Sequence, residues 1–450
     1  MVIIQVEPME TFLKLFRQCL SEFPSNSNSY LVAYSGGLDS SVLLAAMQRL
    51  GPICSVRAAH VDHDLHVNSC KWEEHCSETA SALGVEYVSS RVQIKNQPGH
   101  SLEALAREAR YQALKDLLLP GEILLTAHHA DDQLETLLFR LLRGSGVKGM
   151  RGIASFRRFG NGFLGRPLLN VTRREIQEVG ANWKLRWLDD PMNIDERFDR
   201  NFLRKKVLSQ VITRWPSGGK TAERLARQMV DAQEILDGVA ESDSADILDP
   251  ARIPQATLLE LPVSRQRNVL RHLIRKVGLP LPDSAQMDNL IKGLEVQRID
   301  AETQVKWPGG EGRIYRGILH IFAPFMQSSG DGYIGELTED KPWSGPEGNI
   351  ALIPTTGKGL PDIWVKKGFS IRFRMGGECF KPLYYKYNRP LKKWFQETGV
   401  PPWLRDRIPL IYKDDELVAV GDLWISAVAE EVQETKTRWQ VLWTNHPSVT

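Results

Sequence analysis

Residues 32–44, VAYSGGLDSSVLL, set two adjacent glycines between an apolar run and a helical pattern. Leu31 to Tyr34 are predicted to form a short buried strand, and Ser40 to Leu50 carry the apolar spacing of a helix. Gly36 and Gly37 permit positive φ angles and a close backbone approach. A strand that ends in glycines and begins a helix directs several N–H groups at one point, beside the partial positive charge of the helix. The stretch therefore predicts an anion site, and phosphate is the usual anion.

This turn differs from the two best-known phosphate-binding loops. The Walker pattern requires a lysine after its glycines and the dinucleotide fingerprint requires three spaced glycines, and the stretch has neither. A plain strand–turn–helix would explain the glycines, but not the flanking hydroxyls and the carboxylate. The stretch resembles the SGGxDS pyrophosphate loop of the ATP pyrophosphatase superfamily, whose members cleave ATP between the α- and β-phosphates. The predicted ATP-binding residues are Ser35, Gly36, Gly37, Leu38, Asp39 and Ser40.

The composition limits the class of protein. A chain of 450 residues is expected to hold about two to four domains. No apolar run reaches the roughly 18 residues that span a membrane, and the N-terminus lacks the basic start and cleavage signal of an exported protein. The five cysteines form no Cys-x-x-Cys pair, which argues against a disulfide framework or an iron–sulfur site. We therefore expect a reduced, cytoplasmic protein with no membrane partner.

The net charge of +2 conceals two strongly basic segments. Residues 140–206 hold 16 Lys and Arg against 7 Asp and Glu, and residues 366–407 hold 11 against 3. The remaining residues carry a balance of −15. Two basic segments on an acidic background indicate two separate contacts with a polyanion, although chance clustering on solvated helix faces remains an alternative.

Strand-like and helical segments alternate through the N-terminal part of the chain. The predicted strands are Leu31–Tyr34, Ser55–Val61, Val85–Val92 and Glu122–Ala127, and the predicted helices are Ser40–Leu50, Asn68–Leu83, Ser101–Leu118 with Ser101 as N-cap, and Asp131–Arg143. Such alternation predicts an α/β fold with a doubly wound parallel sheet, whose ligand site lies at the carboxyl ends of the strands. The glycine turn follows the first strand, where that rule places a ligand.

The pattern changes at RWPSGGK, residues 214–220. Helical segments at 221–239, 264–277 and 284–296 and a hairpin-like stretch follow, which predict a mostly helical second domain. Residues 327–349 are rich in Gly, Ser, Pro and acids and predict a linker or long loop, followed by a small α+β domain. The predicted bounds are 1–214 for the nucleotide-binding domain, 215–323 for the helix-rich domain, 324–350 for the linker and 351–450 for the C-terminal domain.

A second group of polar residues follows the fourth predicted strand, in TAHHADDQLET at 126–136. On a helix that starts near residue 128, His128, Asp132 and Glu135 would share one face, with Asp131 one position round. Helix capping explains one acid of the first turn, but not the whole set. Three carboxylates and two histidines at the carboxyl end of a strand predict a site for Mg²⁺, an amine or both.

Three histidines lie in HVDHDLH, at the end of the second predicted strand. They are His60, His63 and His66, and their spacing fits no common zinc site. We predict that they are residues near the bound nucleotide rather than metal ligands, with His60 as a nucleotide-binding residue.

These motifs together resemble the bacterial tRNA(Ile)-lysidine synthase family. The matching stretches, in family order, are SGGLDSS, HVDHDLH, AREARY, AHHADDQLET, RLLRGSG, GRPLL, WLDDPMN and RNFLR. IRFRMGGECFKP, LKKWFQETGVPPWLRDRIPLIY and ELVAVGDLWI match the C-terminal part of the family, so the resemblance covers both ends of the chain with a looser middle. The second motif of the family commonly ends in arginine where this sequence has His66, which leaves the role of that position open.

The resemblance implies an RNA-modifying ligase. Members of this family use ATP to adenylate O2 of the wobble cytidine in a CAU-anticodon tRNA(Ile). The ε-amine of free L-lysine then attacks C2 and releases AMP, and the lysidine that forms changes codon recognition from AUG to AUA. The implied partners are tRNA(Ile), free L-lysine, ATP and Mg²⁺. The sequence leaves the oligomeric state open, a homodimer included.

The candidate residues suit both half-reactions. N–H and hydroxyl groups of the glycine turn would hold pyrophosphate, and Asp39 would contact it through Mg²⁺. Free lysine has an ε-amino pKa of about 10.4, so a carboxylate must bind the ammonium and help remove its proton. We predict Asp39, Asp132 and Glu135 as catalytic residues. The predicted substrate-binding residues are His128, Asp131, Asp132, Glu135 and, through nucleotide or RNA phosphate, Arg107, Arg110 and Arg204.

The second basic segment is also rich in aromatic residues. They are Phe369, Phe373, Phe380, Tyr384, Tyr385, Tyr387, Trp394, Phe395 and Trp403. Many of them are expected in the core, because a small domain needs its aromatic residues there. The lysines and arginines would then form a phosphate-facing surface. By resemblance, this domain contacts the acceptor stem of the tRNA, and the middle domain contacts the anticodon stem.

Two other classes of protein remain alternatives. One is another PP-loop ATP pyrophosphatase that acts on tRNA, but a thiolase would need paired cysteines and an amidotransferase would need a glutaminase domain. The other is a non-catalytic RNA-binding protein, which would have no need of Ser-Gly-Gly-x-Asp-Ser with an acidic helix. Pyrophosphate release that depends on tRNA and lysine would separate these alternatives.

Overall fold

The computed structural model describes residues 8–23, 27–51, 54–62, 69–93, 102–188, 202–295, 303–325, 333–432 and 437–445. The chain divides into two compact units, Met1–Leu236 and Asp237–Thr450. Across the described ranges, no helix has both the length and the apolar character that crossing a membrane requires.

A mostly parallel sheet forms the centre of the first unit. Its strands are β1 (Ser29–Ala33), β2 (Ser55–Asp62), β3 (Glu86–Arg91), β4 (Ile123–Leu125), β5 (Phe156–Phe159) and β6 (Gly162–Gly165). Their order is β3-β2-β1-β4-β6-β5, and of these six strands only β5 runs antiparallel to its neighbour. The chain passes from β1 to β2 on one side and later returns to β4 on the other. Strands β1 and β4 therefore flank the switch point at which such sheets bind ligands.

Helices alternate with these strands, which confirms the predicted doubly wound fold. They are α1 (Pro8–Ser21), α2 (Leu38–Arg49), α3 (Ser69–Ala82), α4 (Leu102–Leu117), α5 (Ala130–Leu142), α6 (Val147–Met150), α7 (Arg173–Asn182), α8 (Leu203–Leu208, with π geometry), α9 (Ser209–Arg214) and α10 (Gly218–Asp243). The predicted N-cap Ser101 lies outside the described residues. Helix α10 contains the boundary between the two compact units, whereas the sequence suggested a domain boundary at 214/215.

Helix α2 is buried on nearly every side. Leu38 and all residues from Ser40 to Met47 are buried, so this helix lacks the polar face of a surface helix. Helix α7 packs closely against it, because a Cβ atom at Gly180 would lie 2.7 Å from Leu38 Cδ1. Glycine at that position allows the close approach, and the approach brings the first turn of α7 to the end of β1.

The middle of the chain forms a helix-and-sheet region within the second unit. Its elements are β7 (Arg252–Pro254), α11 (Gln255–Leu259), α12 (Val263–Lys276), α13 (Ser284–Leu294), β8 (Thr303–Trp307), β9 (Gly310–Tyr315) and β10 (Ile318–Phe322). The predicted helices and the β9–β10 hairpin are present. Strands β7 and β8 extend the β9–β10 hairpin to an antiparallel sheet of order β7-β10-β9-β8. The hairpin-like stretch predicted from sequence already begins at Val305, inside β8, whereas β7 has only three residues and was not recognised.

The C-terminal part of the second unit is an α+β region, as predicted. Its strands are β11 (Tyr333–Leu337), β12 (Trp343–Gly345), β13 (Gly348–Thr355), β14 (Leu360–Pro361), β15 (Phe369–Arg372), β16 (Cys379–Phe380), β17 (Arg389–Pro390), β18 (Leu410–Lys413), β19 (Glu416–Val420), β20 (Trp424–Ile425) and β21 (Arg438–Thr444). Its helices are α14 (Asp362–Lys367), α15 (Leu391–Glu397), α16 (Pro402–Arg405) and α17 (Val428–Glu431).

Residues 333–350, the later part of the segment 324–350 that was predicted as a linker, belong to this C-terminal region. Strand β11 pairs with β15, and β12 pairs with β13, so the linker prediction is corrected. The glycines and acids misled the prediction because short edge strands do not need a continuous apolar pattern. The core of the region is aromatic, with Trp364, Trp394, Trp439 and Trp443 among its buried residues.

Candidate active site

The glycine turn connects β1 to α2 at the sheet switch point. Gly36 has a φ of +79°, and a Cβ atom there would lie 3.0 Å from Cys76 Sγ, so this position needs glycine for both conformation and space. Gly37 is the N-cap residue, and no side chain caps the helix. The first N–H groups of a helix have no partner within it, and those of α2 therefore remain suited to an external anion.

Two serine hydroxyls hold this turn in shape. Ser35 Oγ lies 3.1 Å from Ser40 Oγ, and the Ser35 backbone N–H donates to Ser40 Oγ at 3.2 Å. Ser40 Oγ also donates to the Gly37 carbonyl at 3.0 Å. Leu38 was predicted to bind nucleotide, but its side chain is buried in the core, so only its backbone N–H can serve as a ligand.

Asp39, in the first turn of α2, is held by the first turn of α7. Arg173 Nη1 donates to Asp39 Oδ2, while Asp39 Oδ1 is buried and has no hydrogen-bond partner. Burial raises the pKa of Asp39, and the nearby His129 and Arg173 oppose that rise. A buried oxygen without a partner is costly, so it indicates a ligand that binds there.

Helix α5 begins after β4 and presents carboxylates to the same place. Its N-cap is His129, whose backbone N–H donates to Asp132 Oδ2 at 3.0 Å. Asp131 Oδ2 accepts a bond from the Arg173 backbone N–H at 2.7 Å, and Asp131 Oδ1 is buried without a partner. A Cβ atom at Gly219, in the first turn of α10, would lie 2.8 Å from that Oδ1, so glycine keeps the space around it open.

His129 lies between the two helix N-termini. Its Nε2 is 3.9 Å from Asp39 Oδ2 and 3.5 Å from Asp132 Oδ2, and its Nδ1 is 3.9 Å from Asp131 Oδ2. The side chain is buried and Nδ1 has no hydrogen-bond partner. The imidazole thus lies between the carboxylates of α2 and α5, a position that the sequence pattern did not reveal.

Arg204, in α8, joins the two predicted catalytic carboxylates of α5. Its Nη2 donates to Asp132 Oδ1 at 2.9 Å and its Nε donates to Glu135 Oε2 at 2.7 Å. Burial alone would raise the pKa of Asp132, but His129, His128 and Arg204 outweigh burial and hold that pKa below its usual value. Asp132 and Glu135 therefore share one helix face, as predicted, and that face meets a cation.

His128 does not share that face, which corrects the sequence analysis. Helix α5 starts at Ala130 because His129 adopts extended N-cap angles, so His128 precedes the helix. Its Nδ1 lies 2.9 Å from Thr126 Oγ1 and 3.4 Å from Arg166 Nε. Burial lowers the pKa of His128 to about 3, and Arg166 reinforces the shift while Asp132 opposes it. The imidazole is therefore neutral at physiological pH.

The predicted arginines Arg107 and Arg110 lie on α4 beside Tyr111. Their Cζ atoms are 5.1 and 5.7 Å from the centre of the Tyr111 ring. Burial raises the pKa of Tyr111, but Arg107, Arg166 and Arg110 outweigh burial and lower it. These cations form one positive group that extends to His128.

The histidine motif of β2 is placed only in part. His60 is buried, and its Nδ1 lies 3.0 Å from the Tyr34 carbonyl, just before the glycine turn. This contact holds the backbone of the residue that precedes the glycine turn. His63 and His66 lie outside the described residues.

The sequence analysis missed Arg166 and Arg173, and it counted His129 among the histidines of the predicted site without giving it a role. Arg166 lies in the quoted motif GRPLL, which could have drawn attention to it. The start of α7 is marked by the capping box of Thr172 and Glu175, but this signal does not show that Arg173 reaches Asp39. That contact joins residues 134 positions apart.

A magnesium site fits this arrangement only together with a bound phosphate. The described residues contain no group of three or more His, Cys, Asp or Glu side chains placed to hold a metal ion. Mg²⁺ is commonly held by one or two carboxylates plus substrate phosphates, and Asp39 Oδ1 supplies a buried oxygen of that kind.

Comparison with known proteins identifies the domains of this chain. Family models match three segments: the PP-loop domain at residues 8–211, the TilS substrate binding domain at 254–320 and the TilS substrate C-terminal domain at 369–443. A solved U34-tRNA thiolase, NcsA from Methanococcus maripaludis, is similar at 13% identity with a TM-score of 0.41, covering 50% of this chain and 79% of that chain. That likeness is too distant to bear on function.

Relatives along the full chain are closer. The tRNA(Ile)-lysidine synthase of Coxiella burnetii is 37% identical, over 89% of this chain and 90% of that protein. The one from Methylococcus capsulatus is 37% identical over 89% and 93%, and the one from Pseudomonas syringae is 38% identical over 88% and 89%. The chain belongs to the tRNA(Ile)-lysidine synthase family.

Proposed function

We propose that this site catalyses the ATP-dependent ligation of lysine to tRNA(Ile). In this proposal the N-terminus of α2 binds the phosphates of ATP, and the N-terminus of α5 binds the amino group of lysine. The main support is the pair of groups at one edge of the sheet. Helix α2 has uncapped N–H groups, helix α5 has buried carboxylates, and the His129 side chain lies between them. The first suits pyrophosphate and the second suits an ammonium group.

In the first half-reaction, the chain transfers AMP from ATP to O2 of the wobble cytidine. The oxygen attacks the α-phosphorus, the bond to the β-phosphate breaks, and pyrophosphate leaves. The N–H groups of the glycine turn and the hydroxyls of Ser35 and Ser40 hold the departing pyrophosphate. Asp39 would hold Mg²⁺, which would offset negative charge on the phosphates. Arg107 and Arg110 supply positive charge for the nucleotide or RNA phosphates.

In the second half-reaction, the ε-amine of lysine attacks C2, and the C2–O bond to AMP breaks. The ammonium must first bind and lose a proton. Asp132 and Glu135 bind the ammonium, which requires Arg204 to give up at least one of its hydrogen bonds to these two carboxylates. The Arg204 side chain is 50% exposed, so it can turn toward RNA phosphate.

The proton acceptor for lysine is His129 in this scheme. Asp132 is a weak base because its pKa is depressed. His129 Nδ1 is buried and lacks a hydrogen-bond partner, and Nε2 of the same ring lies 3.5 Å from Oδ2 of Asp132, one of the two carboxylates that would hold the ammonium. His128 is held neutral and serves to position this segment through Thr126.

The RNA substrate is a tRNA(Ile) with a CAU anticodon, bound through the two basic segments. Exposed cations of residues 366–407 include Lys392 and Lys393 on α15. Each cation that pairs with an RNA phosphate should contribute roughly 0.7 to 0.9 to the slope of log K against log salt. Replacing Lys392 and Lys393 by Ala should therefore flatten the measured slope, and an unchanged slope would show that this surface is merely solvated.

The decisive experiment uses ATP labelled on the α-phosphate. Wild-type protein, lysine and a CAU-anticodon transcript should give label first on the RNA and then on AMP. A transcript with uridine at the wobble position is the matched control and should give neither. Label that appears in AMP without RNA, or that never appears on the RNA, would contradict the proposed order.

The same proposal places the protein in the cytoplasm, where tRNA and free lysine occur together. Four cysteines in the described residues, Cys19, Cys54, Cys76 and Cys379, are free thiols, which suits a reducing compartment. Cell fractionation checks the location, and sedimentation checks whether the enzyme is a monomer or a homodimer.

A further inference from the structure

An eight-residue loop in the second basic segment exposes three tyrosines. This tyrosine loop, residues 381–388, connects β16 to β17, which pair with each other. Tyr384, Tyr385 and Tyr387 are 78%, 51% and 67% exposed. Most phenylalanine and tryptophan side chains of the same segment differ from these tyrosines, because Phe369, Phe380, Trp394 and Phe395 are buried. Neighbouring large aromatic side chains on a surface indicate a binding site.

The loop is held in place by the folded region beneath it. The backbone N–H of Leu383 donates to the Ile425 carbonyl at 2.8 Å. The Tyr385 ring meets the buried Trp394 ring edge-on, with their centres 4.5 Å apart. Tyr385 therefore anchors the loop, and Tyr384 and Tyr387 on either side of it present their rings from a preorganised support.

Tyr384 adopts a backbone conformation that disfavours a large side chain. Its φ is +73°, in the left-handed region that glycine usually occupies. Lys358 Nζ lies 4.3 Å from the centre of its ring and also pairs with Glu430. A bulky residue in this region points to function rather than to packing, because the ring is largely exposed.

A cavity lies beside this ring and offers polar groups. Its volume is about 350 Å³, and Lys358, Leu383 and Glu430 are among the residues that line it. That volume accommodates a nucleobase, and a lysine and a carboxylate can bond to the edges of a base.

The charge around the loop selects an anionic partner. Lys386 lies within the loop, and residues 366–407 hold 11 Lys and Arg against 3 acids. Exposed aromatic rings interleaved with cations are the pattern that binds single-stranded nucleic acid, where bases stack on the rings and phosphates meet the cations. An RNA duplex does not suit this pattern, since its bases are already stacked and its deep groove is too narrow for side chains.

We propose that the tyrosine loop binds the unpaired 3′ end of the tRNA, with nucleobases stacked on Tyr384 and Tyr387 and one base edge at the Lys358 cavity. This inference rests on the proposed function in taking tRNA as the substrate. A tRNA ends in an unpaired 3′ strand, and the anticodon is engaged at the catalytic site.

The test compares two RNAs and two double variants. The RNAs are the full transcript and the same transcript without its unpaired 3′ nucleotides. The variants are Tyr384→Ala/Tyr387→Ala, which removes stacking, and Tyr384→Phe/Tyr387→Phe, which keeps it. Trimming should weaken binding to wild-type protein and to the Phe variant by roughly 5- to 100-fold, the range expected for stacking of a base. The Ala variant should bind both RNAs equally, with the affinity that wild-type protein has for the trimmed one.

Two results would overturn the proposal. One is a wild-type dissociation constant that trimming leaves unchanged, and the other is an Ala variant that remains as sensitive to trimming as wild-type protein. Tyr387→Ala alone guards against misfolding, because it leaves the strained position untouched and should show part of the loss. Pyrophosphate release by wild-type protein tests the proposed function separately, so failure of either proposal can be told from failure of the other.

Discussion

The N-termini of α2 and α5 follow neighbouring parallel strands at one edge of the sheet, yet they offer opposite chemistry. Around α2 the turn presents backbone N–H groups and the hydroxyls of Ser35 and Ser40. Around α5 the first turn presents Asp131 and Asp132, with Glu135 one turn further on. The same strand–turn–helix geometry would therefore suit an anion at α2 and a cation at α5, and the side chains of the first turn make the difference.

The two termini also differ in how their backbone groups are satisfied. Gly37 provides no side-chain cap for α2. At α5 the Ala130 N–H donates to the Val171 carbonyl at 2.8 Å, and the Asp132 carboxylate accepts from the N-cap N–H of His129. Helix α5 is therefore closed to an external anion, although its dipole alone would favour one.

The largest expected effect comes from removing the charge of Asp39. Asp39→Asn should reduce pyrophosphate release by roughly a hundredfold or more, because the variant can no longer offer a charged group to the transferring phosphates. Asp116→Asn, on the exposed face of α4, is the matched control and should release pyrophosphate at the wild-type rate. If Asp39→Asn released pyrophosphate normally, the anion role of the α2 terminus would be wrong.

Replacing His129 tests the link between the two termini. His129→Ala should slow amine attack by about a hundredfold, as expected when a proton acceptor is removed, while adenylation persists. Single-turnover experiments with isolated adenylated tRNA measure the second step alone. Added imidazole should restore part of the rate in the space that the side chain leaves. Loss of adenylation before loss of amine attack would instead make His129 a positioning residue for Asp39.

Glu135→Gln tests the cation role of α5 with a change of shape close to zero. The KM for lysine should rise by roughly 10- to 100-fold, since a charge-assisted hydrogen bond is removed, and adenylated tRNA should accumulate. Glu178→Gln, an exposed acid on α7, serves as the control. A variant with normal lysine turnover would move the lysine site elsewhere.

The smallest effect concerns the dependence of stability on pH. The folded state keeps His128 neutral down to its lowered pKa of about 3, whereas an unfolded histidine takes up a proton below about 6.5. The folded state therefore loses stability as pH falls through this window, by roughly 1.4 kcal/mol per pH unit. Hydrogen exchange of the α5 amides at pH 7 and 5.5 should show this loss in wild-type protein and less of it in His128→Gln. Equal losses in both would contradict the assignment.

Local chemistry made part of this site predictable. The SGGLDSS stretch indicated the turn correctly and the helix start to within two residues, because its glycines and serines constrain one another within a few residues. The anion site at this turn stays a prediction. The shared face of Asp132 and Glu135 followed from helical spacing. The roles assigned to these residues in binding and catalysis stay predictions.

Long-range contacts limited the rest. Arg173 reaches Asp39 across 134 positions, and Arg204 reaches Asp132 across 72, and no local pattern carries that information. The error at His128 has a different origin. The sequence did not show which of the two histidines would be the N-cap. Because His129 is the N-cap, His128 lies before the helix and contacts Arg166, and His129 lies among the carboxylates.

Tyr384 has a consequence for anyone who engineers this enzyme. A library screened for heat resistance alone would favour glycine at position 384, because glycine relieves a left-handed backbone that costs a tyrosine roughly 1 to 2 kcal/mol. If the tyrosine loop binds RNA as proposed, the selected variants would be more stable to heat but would bind RNA less tightly. Selection for growth that depends on translating an AUA-rich reporter should instead retain tyrosine at position 384. The two screens should therefore select different residues at this position.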